Sequence, residues 1–333
     1  MDRTIIKSVL LLLFFYSSLT IGQTDFSKES EELGKVHWYR DYDKAIAAAK
    51  RELKDVLILF QEVPGCATCR NYGKNVLSNP LMVETIENEF IPLAIFNNKG
   101  GKDREILAKF DEPSWNNPVV RIINTKGNDV VKRISSDYSS LTLLKRIKEA
   151  LKSNGRIIPP YVKILDQELS SINTGNYKEK HFKMYCFWTG EKQLGKIDGV
   201  LSTESGFMNG EVVKVQYDPS VVDETTLENY AEKHSFKPVD PSKTYKSASN
   251  DIHYYLRHTD YKYVPLTELQ QTKINSAIGS GKTGDEYLSP TQRKWFVNII
   301  EGKVKKNKNL FDIPFSDAWD YMKKQFPITI ASK

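Results

Sequence analysis

The chain has 333 residues, 40% of them hydrophobic and 27% charged, with a formal net charge of +6. That length can bury two ordinary cores, the composition is ordinary for a globular protein, and three cysteines do not make a disulfide-stapled scaffold. The basic residues are dispersed, apart from Lys303-Val304-Lys305-Lys306-Asn307-Lys308, a run with no interleaved aromatics that reads as a solvated face rather than a nucleic-acid surface.

The N-terminus opens with Asp2, Arg3 and Lys7, and Val9 to Ile21 is dominated by Leu, Phe and Val. This run is shorter than the ~20 apolar residues of a membrane span. Small residues at Thr20 and Gly22 precede Gln23. Residues 1–22 are therefore expected to be a secretory signal, and the chain a periplasmic or secreted protein. An uncleaved anchor is the competing reading. In an oxidising compartment an odd number of cysteines is a poor staple, and three cysteines point to redox chemistry.

Residues 23–37 read as a polar lead-in. Tyr42 to Leu53 has alanines and charges at helical spacing. Val56 to Phe60 is a short continuous apolar run, as in a buried strand. The pair Cys66-Ala67-Thr68-Cys69 follows it, and the chain continues as a helix to Val76. Asn79-Pro80 starts a helix that runs to Glu89. Phe90 to Phe96 reads as a strand, Lys102 to Phe110 as a helix, and Val119 to Ile123 as a strand. Lys126-Gly127-Asn128 is a turn into a strand at Val130 to Ile134, and Leu141 to Leu151 is an amphipathic helix. Strand–helix alternation implies parallel pairing, with the hairpin strand as an antiparallel edge. Ser153-Asn154-Gly155 and Pro159-Pro160 mark a boundary.

Cys66 and Cys69 at a helix start suit disulfide exchange. The helix N-terminus favours thiolate at Cys66. Cys66 is the expected attacking thiol, and Cys69 resolves the mixed disulfide. Half of a zinc site is the competing reading, but no His lies within sixty residues downstream. This half, about residues 35–152, resembles the exported thioredoxin-like branch of the thioredoxin superfamily. The resemblance implies that Asn117-Pro118-Val119 holds the family's proline opposite the disulfide, so Pro118 supports the redox site. Pro64-Gly65 stands where the family usually has an aromatic, and Ala67-Thr68 replaces its usual Gly-Pro.

Past Tyr161, Lys183 to Tyr185 reads as a short strand into a helix starting at Cys186. Val200 to Phe207 and Val212 to Tyr217 are strands, and Asp223 caps a helix to His234. Leu288-Ser289-Pro290 starts a helix reaching about Gly302, and another helix lies within Asp312 to Phe326. Gly279-Ser280-Gly281-Lys282-Thr283 is not a phosphate loop, because Ser276 stands where the first glycine is required.

Cys186-Phe187-Trp188 is by itself compatible with plain core. Together with Gly199-Val200-Leu201-Ser202-Thr203-Glu204-Ser205-Gly206-Phe207 and Gly210-Glu211-Val212-Val213-Lys214-Val215-Gln216-Tyr217-Asp218-Pro219, it resembles the A-type methionine sulfoxide reductases over residues 183–236. The expected organisation is then an α/β thioredoxin-like fold (35–152), a linker (153–161) and an α+β ferredoxin-like, methionine sulfoxide reductase A-type domain (162–333).

The resemblance implies that Cys186 attacks the sulfoxide sulfur, Glu211 protonates the oxygen, and Phe187 and Trp188 form the methyl pocket. Such a Glu needs burial to stay protonated near neutral pH. Tyr185 replaces the family's glycine, and only Met208-Asn209 separates Phe207 from Gly210, where the family has a long tyrosine-bearing loop. Asp251, Tyr254 and Tyr255 are candidates for the family's aspartate and second tyrosine. No C-terminal cysteine exists to resolve Cys186, so Cys66–Cys69 is the expected reductant, reopened by an external thiol donor.

Oxidised proteins or peptides are the expected substrates. No cofactor, metal, nucleic acid or stable membrane span is expected. One alternative is a thiol–disulfide oxidoreductase with a non-catalytic, reductase-derived client-binding domain. Another is metal handling by the three thiols and Met208.

Overall fold

The computed structural model describes residues 30–172, 174–240, 244–306 and 308–326. The expected signal, residues 1–22, lies outside the described residues.

Local signals place the first elements. Helix α1 (Tyr42–Glu52) begins at Asp41, whose carboxylate accepts the Lys44 N–H at 3.1 Å. Strand β1 (Asp55–Gln61) follows, with Val56 to Phe60 wholly buried. Its continuous apolar run has a physical cause, since both faces are covered. Helix α2 (Ala67–Asn75) starts directly after Cys66. Helix α3 (Pro80–Glu89) is capped by Asn79, which accepts the Met82 N–H at 3.1 Å. Strand β2 (Phe90–Phe96), helix α4 (Lys102–Lys109), strand β3 (Val119–Ile123) and helix α5 (Ser140–Ser153) complete the series.

The sheet order is β2-β1-β3, with β1 and β2 parallel and β3 antiparallel to β1. The antiparallel edge is thus β3 itself, not the hairpin strand expected at Val130 to Ile134. That strand does not form. The returning chain touches β3 at isolated bridges, Ile123 with Asp129 and Val120 with Ile134. Five residue steps on the return face three on β3, so no regular ladder can hold register between the bridges.

Helix α6 (Pro160–Gln167) starts at the proline pair. Its Tyr161, Val162 and Leu165 pack into the first core with Leu143 and Ile147, and Leu169 joins them. The prolines break the chain's direction without ending its packing, so the first core runs beyond the boundary read at residues 153–161.

The second sheet is built from β4 (Lys178–Lys183), α7 (Phe187–Leu194), β5 (Val200–Phe207), β6 (Glu211–Tyr217), α8 (Glu224–Lys233) and β7 (Lys237–Pro238). The short strand β8 (Lys246–Ser247) extends its edge, giving β7-β4-β6-β5-β8, antiparallel throughout. Without β8 this is a β-α-β-β-α-β unit whose fourth, first, third and second strands lie side by side, the ferredoxin-like arrangement. Four helices follow: α9 (Tyr254–Arg257), α10 (Glu268–Gly279), α11 (Pro290–Ile300) and α12 (Phe315–Gln325). Helix α10 packs on α7, β5 and α9.

The two halves touch. The Glu84 carboxylate of α3 accepts the Thr291 backbone N–H at 2.9 Å and its hydroxyl at 2.6 Å. Lys35 pairs with Asp320 at 2.9 Å, and Phe315 packs against both the first core and the helical core of the second half. Glu84 is 6% exposed, and Glu84→Ala strands two donors on the half-buried Thr291. The expected loss is about 1–3 kcal/mol of stability in urea unfolding; an unchanged midpoint would mean that this contact does not hold the halves together.

Candidate active site

Cys66 is the N-cap residue of α2, but its side chain does not accept the usual capping bond. It is exposed, whereas Cys69, one turn along, is 0% exposed. The sulfurs are 3.4 Å apart and unbonded. The Cys69 thiol donates to Asn117 Oδ1 at 2.8 Å. Asn117 precedes Pro118 across a cis peptide bond, and the buried Pro118 leads into β3.

The two thiols have opposite electrostatics. The Cys69 backbone N–H, in the first turn of α2, is the main influence holding the Cys66 thiol below its ordinary pKa. Burial, followed by the neighbouring Cys66, pushes Cys69 up to about 11. This asymmetry suits one attacking and one resolving thiol.

The loop before Cys66 is tied down. Gly65 donates its N–H to Glu32 Oε1 at 2.8 Å, and Arg70 donates to the Gly65 carbonyl. A Cβ at Gly65 would lie 2.4 Å from the Glu62 carbonyl oxygen and 2.7 Å from Cys69 Cβ. No larger residue, the family's aromatic included, fits this backbone path.

Cys186 is the N-cap residue of α7 and is half-buried. Its thiol does not cap the helix either. Glu211 Oε2, at the start of β6, accepts the Phe187 N–H at 2.8 Å, and the Glu211 carbonyl accepts the Met184 N–H at 3.0 Å. Glu211 is half-buried rather than enclosed, so the full burial expected of a proton donor is not found. The Met208-Asn209 connection is a tight turn, closed by Met208 N–H to Gly210 O at 3.0 Å, with Asn209 at φ 57°.

Trp188 stacks on Tyr254 with centroids 3.9 Å apart and donates its indole N–H to Asp251 at 3.2 Å. Burial, and next the charge of Cys186 nearby, raises the Tyr255 phenol above its ordinary pKa. The structure therefore brings Cys186, Glu211, Trp188, Asp251, Tyr254 and Tyr255 together. Phe187 is 6% exposed and belongs to the core, while Phe207, in edge contact with it at 5.6 Å, is 43% exposed and presents the open aromatic face.

Glu191 was not picked out from the sequence. It is wholly buried, and its carboxylate accepts the Ser205 N–H at 3.1 Å and the His253 N–H at 2.9 Å. It ties α7 to β5 and to the segment carrying Asp251, Tyr254 and Tyr255. A signal was present: Phe187, Gly190, Glu191 and Leu194 form one helical stripe, and an acid on an otherwise apolar stripe marks a buried polar role. Gly190 is required there, because a Cβ would strike Met184 Sδ at 1.9 Å.

Cys186 lies outside the cluster formed by Glu62, Cys66 and Cys69, and among the described residues no sulfur–sulfur contact joins it to the pair.

Residues 37–125 match a family model described as thioredoxin-like, and residues 178–237 match one described as peptide methionine sulfoxide reductase. The chain thus carries a thioredoxin-like domain followed by a peptide methionine sulfoxide reductase domain. Two curated relatives are peptide methionine sulfoxide reductases MsrA from strains C5 and C7 of Methanococcus maripaludis. The first is 39% identical over 66 residues, covering 14% of this chain and 42% of the relative. The second is 33% identical over 81 residues, covering 19% and 50%. The chain thus spans half the length, or less, of the curated relatives it matches. Among solved structures, a DsbH oxidoreductase is 15% identical with a TM-score of 0.31, covering 39% of this chain and 94% of its own. A thioredoxin from Thermus thermophilus is 20% identical with a TM-score of 0.32, covering 36% and 90%.

The opposed thiol pKa shifts predict stepwise alkylation. Iodoacetamide is expected to modify Cys66 at a lower pH than an ordinary thiol, and Cys69 only as the pH approaches about 11. Peptide mapping by mass spectrometry reads the order; equal labelling at neutral pH would contradict it.

Proposed function

We propose that the chain is an exported protein that reduces methionine S-sulfoxide in oxidised proteins or peptides, with Cys186 as nucleophile and the Cys66–Cys69 dithiol as its fused reductant. The observation that carries this reading is the convergence on one helix start of a half-buried thiol, a carboxylate, a phenol and an aromatic wall.

The Cys186 thiolate attacks the sulfoxide sulfur. A proton from Glu211 or Tyr255 goes to the oxygen, the sulfide leaves as methionine, and the oxygen stays on Cys186 as sulfenic acid. The Cys66 thiolate then attacks Cys186 Sγ. The oxygen departs as water, and a mixed disulfide forms. Cys69 attacks Cys66 Sγ, releasing the Cys186 thiolate and closing Cys66–Cys69. Two electrons have moved from the dithiol to the sulfoxide, and an external thiol donor must return them. Trp188 and Phe207 would face the substrate methyl, which needs apolar surface but no charge.

Because the halves are packed together through Glu84–Thr291 and Lys35–Asp320, the relay requires a change in their arrangement. Export is part of the proposal, and the apolar run Val9 to Ile21 behind Asp2, Arg3 and Lys7 supports it. The tight turn at Met208–Gly210 removes the space of the family's tyrosine loop, which favours a second reading: a dithiol oxidoreductase whose C-terminal half only binds clients.

Reduced protein mixed with peptide methionine S-sulfoxide is expected to form two equivalents of peptide methionine per chain without added donor, one drawn from the dithiol and one leaving Cys186 as sulfenic acid; one equivalent alone would mean that the relay does not operate. Cys186→Ser should abolish this reaction while leaving insulin-disulfide reduction by Cys66 intact. Cys69→Ser should lower steady-state turnover at least ~100-fold, since no local thiol replaces it. No methionine from the reduced wild-type chain would leave the second reading.

A further inference from the structure

The thiol pair has a third neighbour that the relay does not use. One oxygen of the Glu62 carboxylate and the sulfurs of Cys66 and Cys69 all lie within 4.8 Å of one another. Glu62 follows β1 directly and is half-buried. Its carboxylate has no hydrogen-bond or ion-pair partner among the described residues. Two sulfurs and a carboxylate oxygen are a donor set that a zinc-class divalent cation takes.

We propose that the reduced pair and Glu62 form a three-ligand site for a zinc-class divalent cation, closed by the two sulfurs and one carboxylate oxygen. The sulfur–sulfur distance is near the one the ion needs, and the carboxylate oxygen is within 4.8 Å of both sulfurs. Tetrahedral zinc with Zn–S of about 2.3 Å and Zn–O of about 2.0–2.2 Å puts its ligands about 3.6–3.8 Å apart. The sulfurs at 3.4 Å need to open by only a few tenths of an ångström.

The loop carrying two of the three ligands is already fixed. Asn98 accepts the Val63 N–H at 3.3 Å and donates to the Pro64 carbonyl at 3.2 Å, while Glu32 and Arg70 hold Gly65. Little ordering is left for the ion to impose. The Asn117 amide touches Cys69 at 2.8 Å through its oxygen. Turned over, the same amide donates N–H to a metal-bound thiolate, the outer-shell support that such ligands receive. Cys66 is exposed, so the fourth position faces solvent.

Binding displaces both thiol protons. The pair then cannot act as nucleophile until the ion leaves, and a closed disulfide has no thiolate to offer. The cation therefore reads the redox state of the pair, and holding it keeps the reduced pair from oxidation.

The test uses the full-length reduced protein titrated with cadmium chloride, followed by thiolate-to-cadmium charge-transfer absorbance, with zinc as competitor. One ion per chain is expected, displaced by zinc, with no band after the pair has been oxidised by a small-molecule disulfide. Glu62→Gln should weaken cadmium binding at least ~10-fold, and Cys66→Ser should abolish the two-thiolate band. Cys186→Ser should bind as wild type. Near-ultraviolet circular dichroism confirms that each variant is folded. Unchanged cadmium affinity in a folded Glu62→Gln chain would overturn the proposal, as would a stoichiometry of one ion per two chains. Slower closure of the disulfide in Glu62→Gln with no change in cadmium affinity would assign Glu62 to proton transfer instead.

Discussion

Both reactive sites depend on a helix that begins at its cysteine. The first turn of a helix leaves backbone N–H groups without partners and carries the positive end of the dipole. Cys66 and Cys186 each occupy the N-cap position, and neither thiol makes the capping bond. The two sites spend those amides differently. At α2 the first-turn N–H groups stay turned toward Cys66, and the Cys69 amide is the chief influence on its acidity. At α7 the first amide is taken by Glu211 from β6. One helix start stabilises its own thiolate, while the other fixes a carboxylate beside its thiol.

The second site is held in place by polar groups that are buried and used. Glu191 joins α7 to β5 and to the His253 backbone. Lys273 of α10 donates to the Gly195 and Ile197 carbonyls, beyond the last turn of α7, at 3.0 and 2.8 Å. Asn275 accepts the Leu256 N–H at 3.1 Å, anchoring α9, which carries Tyr254 and Tyr255. Each such bond contributes modestly when made, and an orphaned partner costs about 1–3 kcal/mol. The geometry around Cys186 is therefore set less by the apolar core than by a frame of hydrogen bonds around α7. Burial moves these groups as physics requires: Glu191 is pushed well above the ordinary carboxyl range and Lys273 down to about 8.

Helix α6 complicates any picture of two beads on a string. Its apolar face completes the first core, and the turn after it carries Ser171, whose hydroxyl donates to Asp218 just past β6. The halves share structure at their junction, and α3, α11 and α12 add a second line of contact. In the proposed relay, electron transfer between Cys66 and Cys186 would depend on how readily that packed junction gives way.

Periodicity and punctuation were enough to locate β1, β2, α3, α5, β5 and β6, because their apolar residues repeat at the period of the element and their caps are local. Asn79, Asp223 and Ser289 all cap the helices that their residue types announce. Helix α10 was not legible: Gln270, Thr272, Lys273, Asn275 and Ser276 are all buried on it, so its inward positions carry no hydrophobic pattern. The strand expected at Val130 to Ile134 failed for a related reason, since its short apolar segment after a turn says nothing of register against β3. The sequence by itself determined which residues are chemical: three cysteines, two of them at helix starts, within two recognisable segments. Only the tertiary structure decided their company. Glu62 beside the dithiol, Asn117 against Cys69, and Glu191 bonded to the Ser205 and His253 amides are contacts whose partners no local pattern names. Such contacts are fixed by how elements pack, and local sequence has no term for them.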